Sequence, residues 1–126
     1  MKLLLTEEDN SYIWSMNFYS LLAEKNDDFI ALCRQHAVNK IYAFGSSITD
    51  HFDPSKSDID VVVELDIKDP IEYGEKLLSL WDNLELLFSR KVDLLTDDSI
   101  HNPYLRKSIE STKKLIYDRQ REKVSF

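Results

Sequence analysis

The sequence predicts an α+β domain, a small mixed β-sheet flanked by helices, and three observations predict it. Short β-branched runs alternate with longer amphipathic stretches, two of the latter open on a cap residue followed by proline, and the whole occupies 126 residues. That length suits one domain able to bury a core without disulfide staples. The expected organisation is a single domain over residues 1–126, with an N-terminal amphipathic helix inside 1–24 and a frayed polar tail at 119–126.

Each element follows from local chemistry. Residues 6–23 begin with a Thr-Glu-Glu-Asp cluster suited to capping and then place Tyr12, Ile13, Met16, Tyr19 and Leu22 near helical spacing. After a polar break at 24–28, Phe29, Ile30, Leu32, Cys33 and Ala37 form a second helical stripe, with Asn26 or Asp27 as its cap. Residues 40–44 read as a short buried strand. Gly45-Ser46-Ser47 is a sharp turn, followed by one or two helical turns to about Phe52 and broken at Asp53-Pro54. The run Asp-Ile-Asp-Val-Val-Val-Glu-Leu at 58–65 has the β-branched apolar character of a strand inside a sheet. Asp69-Pro70 then opens a long helix carrying Leu77, Leu80, Trp81, Leu84, Leu87 and Phe88 on one face. Residues 91–95 give another core strand, Asn102-Pro103 another capped helix to about Ser111, and 114–117 a last strand.

Composition narrows the function classes. A hydrophobic share of 43% with 31% charged residues is that of a folded protein, not a disordered one. The net charge of -7 argues against bulk nucleic-acid binding, which needs clustered Lys and Arg. Charge is uneven, with seven basic residues against three acids between 106 and 123, either a solvated helix face or a surface for an acidic partner or a triphosphate. The single cysteine, Cys33, lies in an apolar pattern and reads as a buried structural thiol, in keeping with a reducing cytoplasm. No apolar run reaches the length of a membrane span, and acids follow the early leucines at once, so a soluble cytoplasmic protein is expected.

The stretch that carries chemistry is 44–64. Side chains two apart on a strand share a face, so Asp58 and Asp60 project together while Ile59 turns away. Paired carboxylates in a valine-rich strand are costly unless a cation compensates, and hydrated Mg²⁺, which prefers carboxylate and phosphate oxygens, is the simplest one. Two solvent-facing acids at a strand mouth are the bland alternative. The company favours the metal reading: a Gly-Ser turn directly after a strand, where glycine lets the chain approach a phosphate, and a third acid, Asp93, in a separate apolar strand. His36, His51 and His101 lack a metal-ligand spacing and read as surface or packing residues. Tyr12, Trp14, Phe18 and Tyr19 are either packing or a base-stacking platform; their density suggests a face covered by the sheet or by another chain, a second copy included.

Strand, Gly-Ser turn, about a dozen residues and an Asp-x-Asp strand together resemble the minimal nucleotidyltransferase domain of the DNA polymerase β-like superfamily. The resemblance covers about 29–117, including Lys-Val-Asp-Leu-Leu. It implies the nucleotidyltransferase fold, with Gly45, Ser46 and Ser47 at the nucleotide and Asp58, Asp60 and Asp93 around two Mg²⁺ ions. It implies ATP or another nucleoside triphosphate as substrate, attack on the α-phosphate, and Asp93 as general base. The Arg and second Gly of the commoner Gly-Ser-x-Ala-Arg-Gly pattern are missing here: Ile48, Thr49 and Asp50 follow Ser47. Lys56 and Arg90 are the nearest replacement cations by sequence. Ser47 reads as a helix cap rather than a nucleophile.

Small members of this superfamily resemble the antitoxin half of a pair whose partner is a helical HEPN ribonuclease. Two functions follow from that resemblance. One is transfer of AMP from ATP to a protein or small hydroxyl acceptor; the alternative is a weak or inactive binding module that neutralises its partner by contact.

Overall fold

The computed structural model describes residues 18–48, 53, 57–121 and 123–124, and it shows a mixed sheet with helices on both faces. In chain order the elements are α1 (Phe18–Glu24), α2 (Asn26–Gln35), β1 (Val38–Phe44), a 3-10 turn (Gly45–Ile48), β2 (Ile59–Leu65) and α3 (Pro70–Phe88). β3 (Val92–Thr96), a second 3-10 turn (Asp97–Ser99), α4 (Pro103–Thr112), β4 (Lys114–Asp118) and β5 (Lys123–Val124) complete it. The sheet order is β3-β2-β1-β4-β5, with β2 and β3 parallel across the α3 crossover and the other neighbours antiparallel.

β1 and β2 lie inside the sheet, each paired on both edges, which explains the nearly continuous apolar run of β2. Ile59, Val61 and Val63 enter the larger core with Ile41, Ala43, Val92 and Leu94, under Phe29, Cys33, Leu80, Leu84 and Phe88 from the helices. Val62, on the opposite face, joins Phe44, Ile100 and Ile109 in a smaller cluster that includes a side chain of α4. Asp60 shares the face of Val62 by strand alternation, so the carboxylates belong to the thinly covered side of the sheet.

Local chemistry fixes the long helix as its sequence implies. The Asp69 side chain accepts from the Glu72 N–H at 2.9 Å and Pro70 takes the first helical position. Asn102 does the same for α4, accepting from the Tyr104 and Leu105 N–H groups. Several expectations are corrected. α2 is capped at Lys25 with no side-chain bond, not by Asn26 or Asp27, because α1 ends one residue earlier and the Lys25 carbonyl already accepts from Phe29. The tail expected to fray contributes β5, paired at Tyr117↔Val124 and Asp118↔Lys123. The helix expected over 6–23 is seen from Phe18 on; its earlier part, with Tyr12, Trp14 and Met16, lies outside the described residues, as do Asp50, His51 and Lys56.

Candidate functional site

Two carboxylates, Asp60 and Asp93, meet where β2 and β3 run side by side, with Asp58 just before β2. Asp60 and Asp93 are register partners in the parallel ladder, so their side chains leave the same face of the sheet, and the two carboxyl groups share a hydrogen bond. Asp58 stands two residues before Asp60, just outside the strand, and its charge acts on Asp60. Burial first, then the hydrogen bond and charge of Asp93, then the charge of Asp58 push the Asp60 carboxyl up to about 6, with Lys91 pulling the other way.

The Gly-Ser turn is built against this group. Phe44 pairs with Asp60 at the end of β1, and the chain then turns at Gly45 with φ +63, in the left-handed region that favours glycine. A Cβ at Gly45 would stand 2.9 Å from Asp60 Oδ2, so the backbone of the turn lies directly on the carboxylate. Ser47 is fully buried, and its hydroxyl accepts from the Asp60 N–H at 2.8 Å, so it positions Asp60. Ser46 lies on the same turn, in the 3-10 segment; its side chain is outside the described part.

The Arg90 guanidinium donates to the carbonyls of Phe88, Asp53 and Ser57 at 3.2 to 3.3 Å. Among the described residues Lys91 lies beside the acids, its Nζ 4.0 Å from Asp93 Oδ1 with both side chains well exposed. A signal for it was present: Lys91 precedes Asp93 by two residues, and period two puts both on one face. His36 is a packing residue, as expected: its Nδ1–H donates to the Leu32 carbonyl at 2.8 Å, and Nε2 lies 2.9 Å from the Ser79 hydroxyl. Cys33 is buried and burial pushes its thiol well above the usual range, which keeps it inert.

Hard carboxylate oxygens that raise one another's protonation are a donor set suited to a divalent cation such as Mg²⁺. Among the described residues no group of three or more His, Cys, Asp or Glu side chains is placed to hold a metal ion. No described helix is long and apolar enough to cross a membrane.

The sequence profile described as a nucleotidyltransferase domain matches residues 29–116. Two proteins of Methanocaldococcus jannaschii, both named as candidate protein adenylyltransferases, are similar to this chain. One is 42% identical over 83 residues, 66% of this chain and 79% of its own length. The other is 42% identical over 86 residues, 68% of this chain and 82% of its own. Among solved structures, a toxin-antitoxin crystallised with AMP-PNP matches over 76% of both chains, with a TM-score of 0.52 and 26% identity. A candidate minimal nucleotidyltransferase matches over 79% of this chain and 95% of its own, with a TM-score of 0.52 and 22% identity, a likeness of fold.

Proposed function

Because this chain belongs to the nucleotidyltransferase domain family, we propose that it is a Mg²⁺-dependent adenylyltransferase that moves AMP from ATP onto a hydroxyl group of a protein, and that it works as the antitoxin partner of a HEPN-type protein. The observation that carries this reading is Asp60 lying against the Gly45 turn, with Asp93 as its register partner and the charge of Asp58 acting on it. In the reaction an acceptor oxygen attacks the α-phosphate, the bond to the β-phosphate oxygen breaks, and pyrophosphate leaves. The acceptor proton passes to Asp93, which is partly exposed at the sheet edge and open to an incoming hydroxyl.

Asp58 and Asp60 would hold Mg²⁺ with Asp93, and when bound the ion supplies charge neutralisation for the phosphate oxygens. The backbone of Gly45 and Ser46 receives the β- and γ-phosphates, because a residue without a Cβ lets the chain approach them. Lys91 balances negative charge at the open edge. The names of the relatives and the AMP-PNP complex support adenine nucleotide as the donor, and the toxin-antitoxin likeness supports a protein acceptor.

The test is transfer of label from α-labelled ATP to a HEPN-type protein encoded beside this chain, with and without Mg²⁺. Label on the partner is expected only with Mg²⁺, and Asp93→Asn should cut the rate by about 10²- to 10⁴-fold, the usual contribution of a general base. Neutralisation of the partner by Asp58→Asn/Asp60→Asn protein with no label transferred would replace this reading with inhibition by contact.

A further inference from the structure

Asp60 and Asp58 are held by different means. Asp60 lies in the ladder, paired to Phe44 on one side and Asp93 on the other, and its N–H is taken by Ser47. Asp58 stands before the first residue of β2 and lacks ladder partners in either neighbouring strand. Its flanking backbone is fixed instead from the α3–β3 junction. On one side the Ser57 carbonyl accepts from Arg90 Nη1 at 3.3 Å; on the other the Ile59 N–H donates to the Lys91 carbonyl at 3.0 Å.

Arg90 is itself firmly placed. Ser89 ends α3 in the left-handed conformation with φ 56, which turns the chain back and lets the Arg90 N–H donate to the Glu85 carbonyl. Its Nε bonds the Phe88 carbonyl. The Glu85 carboxylate accepts from the Val92 N–H at 3.0 Å, and the Trp81 indole donates to the Val92 carbonyl at 2.6 Å, so the junction is rigid on both sides of Arg90. From that base Nη1 reaches the carbonyls of both Asp53 and Ser57, which are tied to each other by Ser57 N–H to the Asp53 carbonyl and Asp53 N–H to Ser57 Oγ, each 2.8 Å. A planar fork with several fixed donors suits this task; an ammonium does not reproduce it.

We infer that Arg90 is a positioning residue for the carboxylate site: by tying the Asp53 and Ser57 carbonyls to the end of α3, it holds Asp58 beside Asp60 in the arrangement that binds a divalent cation. This rests on the metal-dependent reading of the site given above. Residues that orient metal ligands typically contribute a factor of 10 to 100 in metal affinity, and that range sets the expected effect.

The experiment measures Mn²⁺ binding by electron paramagnetic resonance on the full chain, without nucleotide, for wild type, Arg90→Gln, Arg90→Lys and Asp58→Asn, together with hydrogen exchange of the Ile59 amide. Arg90→Gln should weaken Mn²⁺ binding by roughly 10-fold or more and speed Ile59 exchange, and Arg90→Lys should fall between it and wild type. In an Asp58→Asn background, adding Arg90→Gln should change Mn²⁺ affinity little, since its effect passes through Asp58; a merely structural residue would weaken both backgrounds alike and contradict the inference. If Arg90→Gln does not fold, Arg90→Lys carries the test, and unchanged affinity there overturns the inference. Wild-type protein that binds Mn²⁺ with the same affinity as Arg90→Gln sinks the role of Arg90 alone. Wild-type protein that binds no Mn²⁺ sinks the metal-dependent function, and this inference with it.

Discussion

Replacing Asp60 by Asn should make the metal-free protein more stable at neutral pH while abolishing its chemistry. The sign follows from protonation. Folding raises the Asp60 carboxyl from 3.8 to about 6, chiefly through burial and the neighbouring Asp93, so the folded state holds a proton more tightly than the unfolded one. The stability linked to that proton is fully present below the unfolded value near 3.8 and is lost as pH rises through about 6. A rise of that size corresponds to about 3 kcal/mol for an enclosed group at ~1.36 kcal/mol per pH unit. Asp60 is only half-buried, and solvent screening reduces the expected effect to about 1 to 2 kcal/mol. Asn removes the charge and can still donate to Asp93. Urea denaturation in EDTA at pH 4.5 and 7.5 should therefore show Asp60→Asn gaining about 1 to 2 kcal/mol over wild type at the higher pH and much less at the lower. Because other groups titrate in the same window, the difference between the two proteins is the quantity to read. An Asp60→Asn protein less stable than wild type at pH 7.5, or an advantage that does not shrink on acidification, would refute the reasoning.

Three further outcomes are expected. Gly45→Ala should cost about 2 kcal/mol in urea denaturation, from the left-handed backbone at φ +63, and should also weaken metal-dependent nucleotide binding, because its Cβ would push on Asp60 Oδ2 from 2.9 Å. Ser47→Ala should cost about 1 to 3 kcal/mol, since the Asp60 N–H loses a buried acceptor, and should slow transfer without changing the unfolding slope. Ser89→Gly should raise stability by about 0.5 to 1 kcal/mol in thermal melts, because a non-glycine residue at φ 56 ends α3 and glycine relieves most of that cost.

Much of the fold was legible because its signals are local. Asp69-Pro70 and Asn102-Pro103 mark helix starts that the structure places within a residue, and the Val-rich run marks an interior strand. That the charge of Asp58 acts on Asp60 needed only their spacing of two residues, and the nearness of Asp93 required only that its strand lie beside β2. What was not legible depends on contacts between distant segments. Ser47 looked like a cap because its true partner, the Asp60 N–H, arrives 13 residues later on the returning strand. Arg90 looked like a free cation because its carbonyl acceptors at Asp53 and Ser57 lie more than 30 residues away. β5 is two residues long and exists only through the edge of β4, which no local propensity reports. Lys91 was legible from its spacing to Asp93 and was passed over for Arg90 next to it.

The central claim is that these three acids bind nucleotide through a divalent ion. Calorimetric titration of wild-type and Asp60→Asn protein with AMP-PNP, with and without Mg²⁺, tests it most directly. Saturable binding is expected for wild type with Mg²⁺ and should weaken roughly 10-fold or more when either the ion or the carboxylate is removed. AMP-PNP binding of equal strength in all four titrations would contradict it.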